Sequence, residues 1–381
     1  MDSVGLLERL VGFPTVSARS NLALIGFVRD VLAERGIEAR LLPDATGEKA
    51  SLFVTIGPRE TPGIMLSGHT DVVPTEGQAW TADPFVLAER DGRLYGRGTA
   101  DMKGFLACAL RAADLASRKP LATPLHLALS YDEEIGCVGV RPMLDMLAAA
   151  PRPRLVIVGE PTSLALALGH KGKVAARATC CGIAAHSALA PHGLNAIHLA
   201  ADFVAALRRR QAALAAEGAR DEAYDVPYTT VHAGLIRGGT ALNIVPDRAE
   251  VDFEIRNLAA DDATAILSAI TEDAAAIAAP HRRRFPAAAV CVEVVNDYPG
   301  LDEAAESEAA AFMRGLLDAP AITKVAFGTE GGLFRERLGV PVVVCGPGSM
   351  DQGHKPDEFV SRAQIEACDG MMDRLVERLA R

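Results

Sequence analysis

Five short apolar segments recur along this chain and constrain its fold more than any other feature. Each has the length of a short buried strand, and longer segments with helical spacing separate them. The five segments are 52–56, 64–67, 125–130, 155–158 and 340–345. Strands that alternate with helices in this way predict an α/β fold. With 381 residues, of which 49% are hydrophobic, the chain is long enough to form two domains.

The pattern changes between residues 172 and 287. We predict a strand at 173–180, an amphipathic helix through 197–207, strands at 229–236 and 249–255, and an alanine-rich helix at 261–279. A strand of the large domain and a closing helix, which begins with a capping box of Ser361 and Gln364, follow this segment. We therefore predict a large domain of residues 1–171 and 288–381, with a small α+β domain of residues 172–287 inserted into it.

Composition excludes several functional classes. The net charge is −10, and the arginine triplets at 208–210 and 282–284 are isolated, so we expect no nucleic-acid partner. The N-terminus lacks a basic start, and no apolar run approaches the length of a membrane span, so we expect a cytoplasmic protein without membrane contact. Seven scattered cysteines without a C-x-x-C pair predict reduced thiols rather than a disulfide scaffold or a sulfur-rich zinc site.

Polar side chains follow four of the predicted strands of the large domain. They are His69 and Asp71 after the second strand, Asp132, Glu133 and Glu134 after the third, Glu160 after the fourth and His354 after the fifth. Asp101 adds a carboxylate in the glycine-rich loop 96–104. Ligands of open α/β sheets gather beyond the carboxyl ends of the strands, so these groups are expected to meet in one cleft.

So much negative charge in one cleft would raise carboxylate pKa values and oppose folding, whereas divalent cations would neutralise it. Imidazole and carboxylate ligands without thiolate suit zinc, with cobalt or manganese as possible substitutes. Each element alone has a simpler explanation. His69 could be a turn histidine bonded to a carboxylate, residues 132–134 an acidic turn, and Glu160 a cap before proline. The order and spacing of the segments together favour the metal site.

Five motifs resemble the M20 family of co-catalytic metallohydrolases, most closely its acetylornithine deacetylases. They are SGHTDVVP (67–74), YGRGTADMKG (95–104), SYDEEIG (130–136), GEPT (159–162) and GHKPDEF (353–359), and the resemblance covers nearly the whole chain. It implies a mixed-sheet α/β catalytic domain like that of the zinc exopeptidases. It also implies that the inserted domain is ferredoxin-like and serves as a dimerisation and lid domain.

Carried over position by position, the resemblance implies two divalent metal ions, with Zn²⁺ as the first choice and Co²⁺ or Mn²⁺ as alternatives. The implied ligands are His69, Asp101 and Glu160 for one ion and Asp101, Glu134 and His354 for the other. Asp101 would bridge the two ions, and Asp71 would orient His69. Glu133 would be the general base for a hydroxide that the two ions share.

The resemblance also implies roles beyond the metal ligands. His186, usually supplied by a partner subunit, would reach the oxyanion of the tetrahedral intermediate, which requires a homodimer. Asn243 and Arg256 match positions that hold the substrate carboxylate, and Gly328 could bring backbone donors to it. Glu330 is a candidate partner for a cationic substrate side chain. Simpler alternatives exist for three of these residues. His186 could be a strand-end histidine whose hydrogen bonds are all made within the protein, Arg256 a surface charge and Glu330 a solvated loop residue.

The implied reaction is removal of the N-acetyl group from N-acetyl-L-ornithine, which gives L-ornithine and acetate and belongs to arginine biosynthesis. The partner is then a small N-acyl amino acid. Another aminoacylase of the family, a succinyl-diaminopimelate desuccinylase, a dipeptidase or a carboxypeptidase remains the alternative. A metal-free glycosidase would not need two histidines at these positions, and an inactive binding relative would be expected to lack a ligand or Glu133. Serine-hydrolase and nucleotide-binding motifs are missing from the sequence.

Overall fold

The computed structural model describes residues 1–149 and 152–381, and the chain divides into two compact units. The first unit comprises Met1–Gly169, Leu301–Val325 and Thr329–Arg381, and the second comprises His170–Gly300 and Ala326–Gly328. The predicted boundary at residue 287 falls before the end of the second unit. The unit continues to Gly300 because the strand Ala289–Tyr298 pairs with the strand Lys173–Cys181.

The described residues form nine α-helices. In chain order these are α1 (Ser3–Val11), α2 (Leu22–Ala33), α3 (Lys103–Ser117), α4 (Val140–Ala148), α5 (Ala196–Glu217), α6 (Ala263–Ala278), α7 (Glu308–Arg314), α8 (Gly331–Leu338) and α9 (Arg362–Leu379). Short 3₁₀ helices occupy Ser187–His192 and Ala279–His281. None of these helices has the length and apolar character needed to cross a bilayer.

The same residues form eighteen strands, several of them only two or three residues long. The first nine are β1 (Ala39–Pro43), β2 (Ala50–Ile56), β3 (Ile64–His69), β4 (Ala88–Arg90), β5 (Arg93–Tyr95), β6 (Leu125–Ser130), β7 (Leu155–Pro161), β8 (Leu166–His170) and β9 (Lys173–Cys181). The other nine are β10 (Ala185–His186), β11 (Thr230–Gly238), β12 (Ile244–Val245), β13 (Arg248–Arg256), β14 (Ala289–Tyr298), β15 (Leu301–Asp302), β16 (Ile322–Val325), β17 (Val342–Gly346) and β18 (Phe359–Ser361).

A mixed nine-stranded sheet forms the centre of the first unit, which confirms the predicted α/β class. Its order is β1-β2-β6-β3-β7-β17-β8-β15, and β16 pairs with β8. Strand β3 is parallel to both β6 and β7, and β7 is parallel to β17, whereas β2 is antiparallel to β6. Every residue of β3, β6 and β7 is buried, as expected for strands covered on both faces. The carboxyl ends of four parallel strands therefore lie at one edge of the sheet.

The second unit is a four-stranded antiparallel sheet covered by two helices. The strand order is β11-β13-β9-β14, and residues of α5 and α6 share one hydrophobic core with the sheet. Strand β9 alternates strictly between buried and half-buried residues, as a strand with one covered face should. The succession β9, α5, β11, β13, α6 and β14 gives the strand-helix-strand-strand-helix-strand order that the sequence predicts.

Candidate metal centre

Parallel strand pairing brings the polar groups of the first unit to one edge of the sheet. His69 is the last residue of β3 and lies opposite Ser130, the last residue of β6, so residues 132–134 follow directly beside it. Glu160 lies near the carboxyl end of β7, and His354 lies in the loop after β17. These positions are set by strand register, because a shift of one residue would turn His69 to the opposite face.

Two groups of side chains in the described structure could each hold a metal ion. In the first group, Nε2 of His69 lies 3.1 Å from Oδ1 of Asp101 and 3.7 Å from Oε1 of Glu160, and all three residues are buried. In the second group, Nε2 of His354 lies 3.2 Å from Oδ2 of Asp101 and 3.1 Å from Oε2 of Glu134. Asp101 belongs to both groups and presents one carboxylate oxygen to each histidine.

Asp71 connects the first group to the segment that carries Glu133 and Glu134. The carboxylate of Asp71 accepts hydrogen bonds from the backbone N–H of Glu133 at 3.0 Å and from the hydroxyl of Ser17 at 2.7 Å. Nδ1 of His69 lies 2.9 Å from the backbone oxygen of Asp71 but 3.5 Å from its carboxylate. Donation from Nδ1 to that backbone oxygen leaves Nε2 free to act as a ligand nitrogen. Asp71 therefore contacts His69 mainly through its backbone.

Glu133 is half-buried and is a member of neither group among the described residues. Its Oε1 accepts a hydrogen bond from the thiol of Cys137 at 3.3 Å. Its neighbour Glu134 faces His354 instead, with Nε2 of His354 3.2 Å from Oε1 of Glu134. The two glutamates thus have separate surroundings.

The carboxylates of the site carry more negative charge than the surrounding protein neutralises. Burial, reinforced by neighbouring carboxylates, raises the pKa of Glu133 to about 8 and that of Glu134 to about 7. Burial and the charge of Asp101 also raise the pKa of Glu160. Hydrogen bonds to Asp101 and Glu134 raise the pKa of His354 to about 10. Divalent cations would stabilise the ionised form of these carboxylates, so the donor set fits such cations.

The sequence analysis did not single out Ser17 and Lys49, which contact carboxylates next to the segment that carries Glu133. The carboxylate of Asp132 accepts a hydrogen bond from the backbone N–H of Ala18 at 2.9 Å and forms an ion pair with Lys49. Ser17 bonds Asp71, as described above. No periodicity in the sequence reveals these contacts, because they join segments of the chain that are far apart.

Four other predicted site residues lie in the second unit. His186 ends the two-residue strand β10 and is exposed, and its Nδ1 accepts a hydrogen bond from the N–H of Ala188. Asn243 is exposed. Arg256 is half-buried and contacts Glu254 and the hydroxyl of Tyr298, the latter at 3.1 Å.

The backbone of Gly328 also packs against the ring of Tyr298. A Cβ atom at this position would lie only 2.1 Å from the ring, so only glycine fits here. The second unit therefore places Arg256 and Gly328 around one tyrosine.

Glu330 is a buried carboxylate of the first unit, not a solvated loop residue. It is 1% exposed and directly precedes α8. Its Oε2 accepts a hydrogen bond from Ser67 on β3 at 3.2 Å, while its Oε1 has no hydrogen-bond partner in the described part of the chain. Burial raises the pKa of Glu330 to about 7. A buried acidic group with an unused acceptor is suited to pair with a cation.

Comparison with known proteins agrees with the geometry. Residues 65–378 match the model of peptidase family M20/M25/M40. The chain is 33% identical to an acetylornithine deacetylase of Photorhabdus laumondii over 98% of this chain and 96% of that protein. Two solved structures share the fold.

One is an M20 family metallo-carboxypeptidase of Sulfolobus solfataricus, with a TM-score of 0.78 and 18% identity over 100% of this chain and 99% of that one. The other is a dinuclear metal-binding peptidase of the M20 family from Bacillus subtilis, with a TM-score of 0.67 and 17% identity over 99% and 97% of the two chains. The match to the family model and the near full-length likeness to the deacetylase confirm the resemblance inferred from the motifs. The chain belongs to peptidase family M20/M25/M40 and is a metal-dependent amide hydrolase.

Proposed function

We propose that the protein removes the acetyl group from N-acetyl-L-ornithine by hydrolysis at a two-metal centre, giving L-ornithine and acetate. The observation that carries the proposal is the pair of ligand groups that share Asp101. The substrate is supported by the likeness to acetylornithine deacetylases over nearly the full chain.

In this proposal the ligands are His69, Asp101 and Glu160 for one ion and Asp101, Glu134 and His354 for the other. Two divalent cations, with Zn²⁺ as the first choice, supply Lewis acidity toward the amide carbonyl and lower the pKa of water when bound. Asp101 keeps one oxygen directed at each histidine. Asp71 fixes the tautomer of His69 through its backbone oxygen and thereby leaves Nε2 to the metal.

Glu133 is the general base. It takes a proton at its carboxylate from the attacking water and delivers it to the nitrogen of the departing amine. The hydrogen bond from its backbone N–H to Asp71 and the contact with the Cys137 thiol hold it in place. Its carboxylate then stays free for proton transfer while Glu134 binds metal.

Substrate recognition uses the remaining predicted residues. Arg256 and Asn243 bind the substrate carboxylate, with backbone donors near Gly328. The free acceptor of buried Glu330 binds the cationic side chain of ornithine. His186 stabilises the oxyanion and is contributed by the partner subunit of a homodimer.

A substrate panel tests the assignment. The metal-free protein, reconstituted with Zn²⁺, is assayed on N-acetylornithine, N-acetylcitrulline, N-acetylmethionine, N-succinyl-diaminopimelate and a set of dipeptides. We expect the highest kcat/KM on N-acetylornithine and loss of activity when a chelator removes the metal. Glu330→Gln should reduce kcat/KM for N-acetylornithine while it leaves that for uncharged N-acetylmethionine nearly unchanged, because only the former has a cationic side chain.

Two results would contradict the proposal at different levels. A clear preference for the succinylated substrate or a dipeptide would refute the substrate but not the metal mechanism. Full activity in the presence of chelator, with metal content verified as nil, would refute the mechanism itself.

A further inference from the structure

A three-stranded sheet, β18-β5-β4, lies next to the loop that carries Asp101. Strands β5 and β18 are antiparallel, with Tyr95 opposite Phe359. The pairing extends to the residue after Tyr95 and the residue before Phe359, because the N–H of Gly96 donates to the backbone oxygen of Glu358 at 2.9 Å. The register therefore brings Glu358 against the loop 96–101 at the point where the loop leaves β5.

The carboxylate of Glu358 holds this loop with four hydrogen bonds. Its Oε1 accepts from the backbone N–H groups of Ala100 at 2.9 Å and Asp101 at 3.0 Å. Its Oε2 accepts from the backbone N–H of Gly98 at 3.1 Å and from Nη1 of Arg97 at 2.6 Å. The side chains of Glu358 and Arg97 are each 1% exposed. One buried carboxylate thus fixes the backbone at and before the shared ligand Asp101.

The same network continues to the second histidine ligand. Nη2 of Arg97 donates to Oε1 of Gln78 at 2.6 Å, and Trp80 also donates to this oxygen at 3.0 Å. Nε2 of Gln78 then donates to the backbone oxygen of His354 at 3.1 Å. The indole ring of Trp80 covers the Arg97 guanidinium at 5.0 Å. The orientation of the Gln78 amide is set by these donors, since its oxygen faces two of them and its nitrogen is left to face a carbonyl.

We propose that Glu358 and Gln78 are positioning residues of the metal centre, with Glu358 fixing the backbone that carries Asp101 and Gln78 fixing the backbone that carries His354. The inference rests on the proposed function, in which Asp101 and His354 are both metal ligands. It assigns the two residues different effects. Asp101 belongs to both ligand groups, so Glu358 controls both metal sites, whereas His354 belongs to one group, so Gln78 controls that site alone.

The geometry explains why backbone position matters here. Asp101 presents one oxygen to each of the two histidines, and small movements of its backbone would shift both oxygens together. Groups that hold metal ligands without touching the metal typically change metal affinity or activity by about 10–100-fold when they are removed. Effects of this size are expected at both sites for Glu358 and at one site for Gln78.

Titration of the full-length metal-free protein with Co²⁺ tests the first assignment, because visible absorption reports the number of bound ions and their coordination. We expect wild-type protein to bind two Co²⁺ ions. Glu358→Gln keeps the size of the side chain but replaces the carboxylate by an amide with only one acceptor oxygen. We expect both Co²⁺ dissociation constants to rise about 10–100-fold and the absorption bands of both ions to change.

Gln78→Ala tests the second assignment. It removes one acceptor from Arg97 and from Trp80 but leaves the buried ion pair between Arg97 and Glu358 intact, so it is expected to fold even if Glu358→Gln does not. We expect the Co²⁺ ion in the group that contains His69 to bind as in wild type. The ion in the group that contains His354 should bind about tenfold more weakly, and only its absorption band should change. Equal weakening of both ions, or of neither, would overturn the role of Gln78.

Two control variants remove comparable contacts elsewhere. Glu303→Gln alters a buried carboxylate that lies 3.6 Å from Arg335, and Gln211→Ala removes a half-buried glutamine that bonds the backbone N–H of Val231. Neither control should change Co²⁺ binding. If the Glu358→Gln protein unfolds at a lower temperature but binds Co²⁺ as the Glu303→Gln control does, the role of Glu358 is merely structural. That result would overturn the inference. Wild-type protein that binds fewer than two ions would refute the proposed metal centre as well.

Discussion

At the residue scale, Glu133 and Glu134 are adjacent in sequence but face different partners. Glu134 lies 3.1 Å from His354, whereas Glu133 faces the thiol of Cys137. We expect Glu133→Gln to retain two metal ions and to lower kcat by about 10²–10⁴-fold, because it removes the proton acceptor. Glu134→Gln should lose one ion. Atomic absorption on both purified variants, with kcat measured on the same samples, checks this division.

The two variants control for each other, since each replaces one half-buried carboxylate by an amide of equal size in the same segment. Similar depletion of metal in both would contradict the separate roles. So would a Glu133→Gln variant that keeps wild-type kcat.

Asp71 illustrates what the sequence could and could not predict about single residues. The apolar segment before His69 predicts that His69 and Asp71 lie at the carboxyl end of a strand, and His69 is the last residue of β3. The sequence does not indicate that the backbone oxygen of Asp71 accepts the hydrogen bond from His69. Nor does it indicate that the Asp71 carboxylate accepts one from the backbone N–H of Glu133. Side-chain periodicity carries no information on backbone partners, and Glu133 is 62 positions away in the chain. The hydrogen bonds of Asp71 therefore appear only in the folded structure.

At the element scale, the strands with long apolar runs could be predicted and the short ones could not. Strands β3, β6, β7 and β17 match the predicted segments closely because each is wholly buried. The sheet of β4, β5 and β18 has only three residues per strand, too few for a periodic signal. Its pairing of residues 93–95 with 359–361 also joins distant parts of the chain. The contacts of Glu358 depend on this sheet, so the sequence did not reveal them.

Strand β6 contains a buried histidine that should make the protein sensitive to acid. His126 is 6% exposed and stacks on Phe53, and its Nδ1 lies 3.0 Å from the hydroxyl of Thr55. Its Nε2 is buried without a partner among the described residues, and burial lowers the pKa to about 4. The folded-state pKa lies below the unfolded value near 6.5, so the unfolded chain binds the proton more readily. The stability from neutral His126 is therefore complete above about pH 6.5 and declines as pH falls toward 4.

Urea denaturation of the metal-free protein measures this effect. Between pH 8 and pH 5 the His126 contribution to the free energy of unfolding should fall by about 2 kcal/mol. In His126→Gln that part of the decline should disappear, whatever the stability of the variant at pH 8. His198→Gln alters an exposed histidine on α5 and should leave the decline unchanged. An equally steep decline in wild type and His126→Gln would contradict the assignment.

At the scale of the whole molecule, the second unit exposes apolar surface that a monomer would leave in water. Leu235 and Ile236 on β11 and Leu242 and Ile244 near β12 are large hydrophobic side chains with high exposure. Large exposed hydrophobic side chains can be covered at an interface between subunits, and most soluble oligomers are symmetric homodimers. The surface supports the proposed homodimer, and the proposal that His186 acts across subunits can be tested with hybrid dimers.

In the proposed dimer each active centre combines Glu133 of one subunit with His186 of the other. His186→Ala and Glu133→Ala should each be nearly inactive alone. Mixing the two after dissociation should restore activity, because each hybrid dimer then contains one centre with both residues intact. Half of the dimers in an equal mixture are hybrids, so about a quarter of the wild-type activity is expected. Sedimentation at the assay concentration verifies that dimers have re-formed.

The exposed His192, which lies in the same short segment, gives the matched control. His192→Ala should be active by itself. An equal mixture with Glu133→Ala should have only the activity that the His192→Ala subunits in the mixture contribute. If His186 instead acts within its own subunit, a hybrid dimer contains no intact centre, because one subunit lacks the base and the other lacks the histidine. Re-formed dimers with no recovered activity would therefore contradict contribution from the partner, and full activity of His186→Ala alone would contradict any catalytic role.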